Sequence, residues 1–244
     1  MKTKGFTLVE LSIVLVIIGL LISGILVARS MIETAKIQSF IKQIQQFDAA
    51  IVNFKTKYSS MPGDSPLMVP AGNGDGLVRD IDDGYLYFSG DISNFWVHLS
   101  QSGFDPKVSY TETVGASFNS GGPGVLNAPI SVLGAHSVVI PYSTGQGEYN
   151  YYITNLTDLI SYEFSPIKTG VKPISAAAVD IKIDDGVLNT GTVTGAESTG
   201  CGIACLTTQG ICADIVNAAQ YNIVETEEKC DLKINMLTQT GGNY

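Results

Sequence analysis

From Phe6 to Ala28 the chain is apolar at nearly every position, and Glu10 is the only charged side chain in the span. At about 1.5 Å per residue, a helix of this length crosses a hydrocarbon core of about 30 Å. Beyond Arg29 the pattern changes. Ile37, Phe40, Ile44, Phe47, Ile51, Phe54 and Tyr58 recur at steps of three and four, while Gln38, Lys42, Gln45, Gln46, Asn53 and Lys57 lie largely off that stripe. The pattern stops at Met61, Pro62 and Gly63, where proline and glycine break helices. One helix from about Phe6 to about Ser59 is expected, on the order of 80 Å long. Its first half has no partner within the monomer, and its second half lays the stripe onto a C-terminal domain. An isolated coiled coil is the competing reading, but the stripe lasts only about three heptads. Gly19 and Gly24 either loosen the helix or allow close helix packing.

After the helix, Gly, Pro, Asn and Asp clusters divide the chain into short segments with no internal repeat. Phe95, Trp96 and Leu99 fall on one face of a short helix over Ser93 to Gln101, stopped by Gly103. "HSVVIPY" and "EYNYYITN", separated by "STGQG", predict an antiparallel hairpin of His136 to Tyr142 with Glu148 to Asn155. Pro173 to Lys182 reads either as a helix begun by proline or as a strand. Tyr221 to Val224 and Asp231 to Leu237 suggest a final strand pair. The fold class is α+β.

Composition narrows the setting. Charged residues make up 15% and hydrophobic ones 45%, which suits an anchored or secreted protein better than a disordered one. A net charge of -9 with only 14 Lys and Arg argues against nucleic acid as a partner. Lys2 and Lys4 precede the apolar run and favour a cytoplasmic N-terminus, although Arg29 and Lys36 weaken the bias. The run passes directly into the amphipathic helix, unlike a signal peptide with its shorter core and cleavage site.

Glu10 needs an explanation, because a charged residue inside a membrane costs about 2.5 to 3.5 kcal/mol at the centre and less near an end. The stretch Lys4, Gly5, Phe6, Thr7, Leu8, Val9, Glu10 resembles the processing site of type IV pilins and type II secretion pseudopilins. The resemblance implies a leader, residues 1–5, cut after Gly5 on the cytoplasmic side by a prepilin peptidase, with methylation of the new N-terminal Phe6. It makes Glu10 the fifth mature residue, the glutamate that partners the N-terminal amine of a neighbouring subunit during assembly. It also implies a pilin-like arrangement, the long helix laid across an antiparallel sheet. The alternative is an ordinary signal anchor with Glu10 at headgroup level. "MPGDSP", "GNGDG", "FWVHLSQSGF" and "AVDIKIDDGVLNTG" are similar to a pattern in pilin-like proteins whose head domains have no assigned purpose.

Three constellations bear on chemistry. Asn73, Asp75, Asp80, Asp82 and Asp83 crowd one loop, and oxygen ligands at that density suit calcium, although Ala71 occupies the first place of an EF-hand register. A solvated turn with Asx hydrogen bonds is the favoured reading of the loop, with calcium as the alternative. Asp180, Asp184 and Asp185 form a second acidic loop, read as a tight turn at Asp185 and Gly186. Cys201, Cys205, Cys212 and Cys230 suggest two disulfides outside the cytosol, with a zinc site or free thiols as alternatives. Four cysteines permit three pairings, of which Cys212 with Cys230 and Cys201 with Cys205 is one. His98 and His136 read as packing or surface residues, and Asn155, Leu156 and Thr157 form a glycosylation-type triplet that occurs often by chance. No GxSxG elbow, HExxH or P-loop occurs, so no enzyme is expected and no cofactor is required.

These readings divide the chain into a leader (1–5), an assembly helix (6–28), its amphipathic continuation (29–59) and a head domain (60–244). The expected function is a structural subunit of a type IV pilus or pilus-like filament, with a secretion pseudopilin as the near alternative. A membrane-anchored binding or enzymatic domain that does not polymerise is the alternative of another class. Expected partners are other pilin subunits, the prepilin peptidase, an assembly platform and the inner membrane, with the head in the periplasm before assembly and on a surface pilus or periplasmic pseudopilus after.

Overall fold

The computed structural model describes residues 7–79, 90–104, 106, 113–116, 124–126, 128–134, 137–145, 147–155, 170–196, 212–213, 219–224, 226 and 230–236. The first helix, α1, runs Leu8–Tyr58. Thr7 caps its start, and Ser59 ends it in the left-handed region (φ 56°), donating its N–H to the Lys55 carbonyl. Residues 7–36 are exposed along their whole length. From Ile37 onward the expected stripe turns inward, and Phe40, Ile44, Phe47, Ile51 and Phe54 are completely buried. The off-stripe polar residues Gln38, Lys42, Gln45, Gln46, Asn53 and Lys57 remain exposed.

Two short helices pack against this half of α1: α2 (Gly90–Gln101) and α3 (Pro173–Ile183). In α2, Ile92, Phe95, Trp96 and Leu99 face inward, and Phe47 meets the Trp96 ring at 4.7 Å between centroids. Pro173 at the start of α3 pre-sets φ without wasting a hydrogen bond. That resolves the ambiguous segment as a helix.

The main sheet has four strands, all antiparallel, in the order β3 (Ser137–Gly145), β4 (Glu148–Asn155), β6 (Asp231–Asn235), β5 (Val193–Ala196). A separate pair joins β1 (Thr113–Ala116) to β2 (Gly124–Leu126). The architecture is therefore α+β and pilin-like: a long, half-naked helix with an antiparallel sheet. The expected hairpin is β3 with β4, lengthened by a bulge at Ser143/Gly145. Consecutive residues Tyr151, Tyr152 and Ile153 are all buried, so β4 is covered on both faces. The expected final strand pair is not formed. Asp231–Asn235 is a strand, but it inserts between β4 and β5, while Tyr221 makes only an isolated bridge to Ala213 and 223–224 is a turn. The reason is that Leu232 and Ile234 reach the core only from the middle of the sheet, where both are completely buried.

Candidate functional site

At the start of α1, Thr7 and Glu10 form a capping box. The Glu10 carboxylate accepts from the Thr7 backbone N–H at 2.9 Å and from the Thr7 hydroxyl at 2.8 Å, while the Thr7 hydroxyl oxygen accepts from the Glu10 N–H at 3.3 Å. Glu10 thus has a local partner within a single chain, which the reading of an intermolecular partner alone leaves out. Thr7 three residues before Glu10 was the available signal. The apolar side chains that follow, Leu8 through Ile32, are exposed, and the most apolar stretch of α1 is long enough to cross a membrane. Gly5 and Phe6 lie outside the described residues. Gly19 and Gly24 have open space where a side chain would stand, so both leave room for a neighbour.

The second site lies where α1 ends. Gly63 has φ +85°, and a methyl there would come within 2.1 Å of the Asp91 carbonyl oxygen; a methyl at Gly72 would meet the Gly63 carbonyl oxygen at 2.2 Å. Bare glycines therefore let the 62–66 turn, the 72–76 loop and the start of α2 press together. His98 holds this arrangement from below: its Nδ1 accepts from the Gly63 N–H at 2.9 Å, which leaves Nε2–H to donate to the Pro70 carbonyl at 2.7 Å. Burial holds the imidazole below its ordinary pKa, and the ring serves as a neutral staple rather than a catalytic base.

This convergence brings together carboxylate oxygens of Asp64, Asp75 and Asp91, all within 4.8 Å of one another. Asp64 Oδ2 accepts from the Gly76 N–H, and the Gly74 and Asp75 N–H groups are also turned toward the Asp64 carboxylate; Asp75 Oδ1 accepts from the Leu77 N–H, and the Asn73 N–H is turned toward Asp91. Asp64 and Asp91 are almost wholly buried, and Asp64 Oδ1 and Asp91 Oδ2 accept no hydrogen bond among the described residues. Arg79 approaches the group through Asp75 Oδ2 at 3.6 Å. Burial, then the charges of Asp64 and Asp75, pushes the Asp91 carboxyl up to about 7, and burial raises Asp64 in the same way. Of the loop residues expected to gather oxygen ligands, Asp75 joins this group, Asn73 spends its side-chain oxygen on the Asp75 N–H, and Asp80, Asp82 and Asp83 lie outside the described residues. Sequence reasoning missed Asp64 and Asp91.

Residues 1–26 match the family described as the prokaryotic N-terminal methylation motif. The chain carries that motif. It is characteristic of type IV pilins and pseudopilins, and it covers Gly5, Phe6 and Glu10 together with most of the exposed apolar half of α1. No curated protein and no solved structure matches the chain. The methylation motif supports pilin-type processing, which implies a prepilin peptidase and pilin-type subunits as partners, and it indicates a structural role. The exposed apolar helix beneath it suggests membrane anchoring.

Away from the methylation motif, all three carboxylates of the second acidic loop accept hydrogen bonds that hold the fold. Asp180 accepts from Tyr221 Oη and the Gly186 N–H, Asp184 from the Thr192 and Val193 N–H groups, and Asp185 from the Val187 N–H and the Thr190 hydroxyl. Gly186 takes φ +76°, completing the expected turn. Cys212 and Cys230 are disulfide-bonded and buried, with Cα atoms 4.9 Å apart. Cys230 also exchanges two backbone hydrogen bonds with Val171, so the bridge fastens the 212–213 corner to the entry of α3. Cys201, Cys205 and His136 lie outside the described residues, as do Leu156 and Thr157 of the triplet.

Proposed function

We propose that the chain is a subunit of a type IV pilus or a pilus-like filament, cut after Gly5, methylated on Phe6 and polymerised through α1. The carrying observation is the coincidence of the methylation motif at 1–26 with a helix that is exposed up to residue 36 and apolar up to Ala28, while its second half is packed into a folded head. In the membrane the apolar half is satisfied by lipid; on assembly, neighbouring helices take the place of lipid, and van der Waals packing between apolar faces holds the filament. The secretion-pseudopilin reading uses the same processing and the same helix. Before assembly the chain sits in the inner membrane with its head in the periplasm.

Glu10 has a defined part in this scheme. The capping box holds its carboxylate at the helix N-terminus, where the amine of a processed neighbour would find it already oriented. Replacing Glu10 by Ala should leave membrane insertion and cleavage intact but reduce recovery of the subunit in sheared filaments. Wild-type incorporation of the Ala variant would remove the charge-pair step from the account.

A further inference from the structure

We infer that Asp64, Asp75 and Asp91 form a binding site for one hard divalent cation, calcium, which fastens the loop at the base of α1 to the start of α2. Two oxygens bound to one calcium ion at about 2.4 Å can be no further apart than twice that distance, and the three carboxylates each bring an oxygen within 4.8 Å of the others.

Asp64 and Asp91 are 3% and 1% exposed, and each keeps one buried oxygen, Oδ1 and Oδ2 respectively, with no partner among the described residues. Leaving such oxygens empty beside two other carboxylates costs both desolvation and like-charge repulsion. A divalent cation removes both penalties at once. The contrast within the molecule is direct: Asp180, Asp184 and Asp185 are equally close to one another, yet backbone and hydroxyl donors occupy them, and none of their oxygens is buried without a partner among the described residues. In one acidic cluster no buried oxygen lacks a donor among the described residues; in the other, Asp64 Oδ1 and Asp91 Oδ2 do.

The donor set is all oxygen, with no thiolate or free imidazole, since both nitrogens of nearby His98 are engaged. Such a set suits calcium or magnesium rather than zinc or copper. Carboxylates contributed by a glycine-rich turn, a loop and a helix start can adjust to the larger, less exacting ion, whereas magnesium demands near-ideal octahedral geometry. Asp64 also lines an open cleft of about 360 Å³ bounded by Lys55, Ser59, Leu67 and Tyr149, which offers a path from solvent. The site differs from an EF-hand reading of the loop, because two of its three carboxylates come from outside the loop.

Full-length protein in detergent, stripped with EDTA, is titrated with CaCl2 by calorimetry and melted with and without the ion. The expected result is one calcium bound per chain, a higher Tm in calcium than in EDTA, and at least about ten-fold weaker binding in Asp64→Asn and in Asp91→Asn. A structural role alone would make Asp91→Asn less stable in both buffers. The cation site predicts instead that Asp91→Asn melts no lower than wild type in EDTA and gains little from calcium. Asp185→Asn should bind like wild type. Absence of calcium binding, a preference for magnesium, or binding that survives Asp64→Asn and Asp91→Asn but disappears in an Asp80→Asn, Asp82→Asn, Asp83→Asn triple variant would each overturn the assignment.

Discussion

Tyr151 on β4 donates its hydroxyl hydrogen to Asp48 on α1 at 2.9 Å, joining residues 103 positions apart, both of them fully buried. Burial, together with the Asp48 charge and hydrogen bond, holds the Tyr151 phenol well above its ordinary pKa, so it remains a donor at any physiological pH. Phe47 packs beside the same ring at 5.9 Å. The contact fixes how the helix sits on the sheet, and hence how the head is carried by the filament helix. Tyr151→Phe keeps the ring but leaves a buried carboxylate short of a donor, and a loss of about 1 to 3 kcal/mol is expected. Urea unfolding followed by tryptophan fluorescence reads it, because Trp96 lies against Phe47. An unchanged midpoint would show that this bond contributes nothing net.

Gly63 should tolerate no side chain. Its left-handed backbone alone costs an L-residue about 1 to 2 kcal/mol, and the methyl would strike the Asp91 carbonyl oxygen, which belongs to backbone and cannot swing away. Gly63→Ala is expected to lower Tm clearly, whereas Gly76→Ala, also left-handed but facing open space, should show only the backbone penalty. Equal melting of the two variants would contradict the close approach of the 62–66 turn to α2.

The segments differ in how openly they declared themselves. The α1 stripe and the β3–β4 hairpin are periodic over many residues, and burial follows the pattern. Pro173 to Lys182 carried both a helix-starting proline and β-branched residues, and only packing against α1 decides it. Asp64 and Asp91 were invisible as a pair because two glycines far from each other in sequence, Gly63 and Gly72, bring them together by lacking side chains. Gln43 and Asp48 lie within the helix without disturbing its apolar period, yet both are buried, Gln43 donating to the Ile130 carbonyl at 2.8 Å. Partners so distant in sequence leave no local trace.

The Asp180 carboxyl gives a pH signature. Burial raises it from 3.8 to about 6, against hydrogen bonds from Tyr221 and Gly186 that pull it down. Between those values the folded chain holds a proton that the unfolded chain has released, so stability falls as pH rises from about 4 to about 6 and levels off above. Asp180→Asn, whose amide can donate to the Tyr221 oxygen, should flatten that part of the Tm profile relative to wild type. Coincident slopes would rule out Asp180 as its source.

The Cys212–Cys230 bridge closes a loop of 18 residues' separation, a span for which chain entropy gives about 3 kcal/mol. Replacing both cysteines by serine should lower the urea midpoint without altering cleavage after Gly5, since the bridge is in the head. A variant that unfolds at the wild-type midpoint would contradict a stabilising role.

A processed, filament-forming subunit, unlike a static anchor, loses its leader. Intact mass and N-terminal peptide sequencing of the protein from its native membrane, with the prepilin peptidase present and deleted, test this most directly. A chain beginning at methylated Phe6 is expected when the peptidase is present, and an uncleaved chain retaining Met1 to Gly5 when it is absent. A chain that still begins at Met1 in the presence of an active peptidase would contradict the filament-subunit reading.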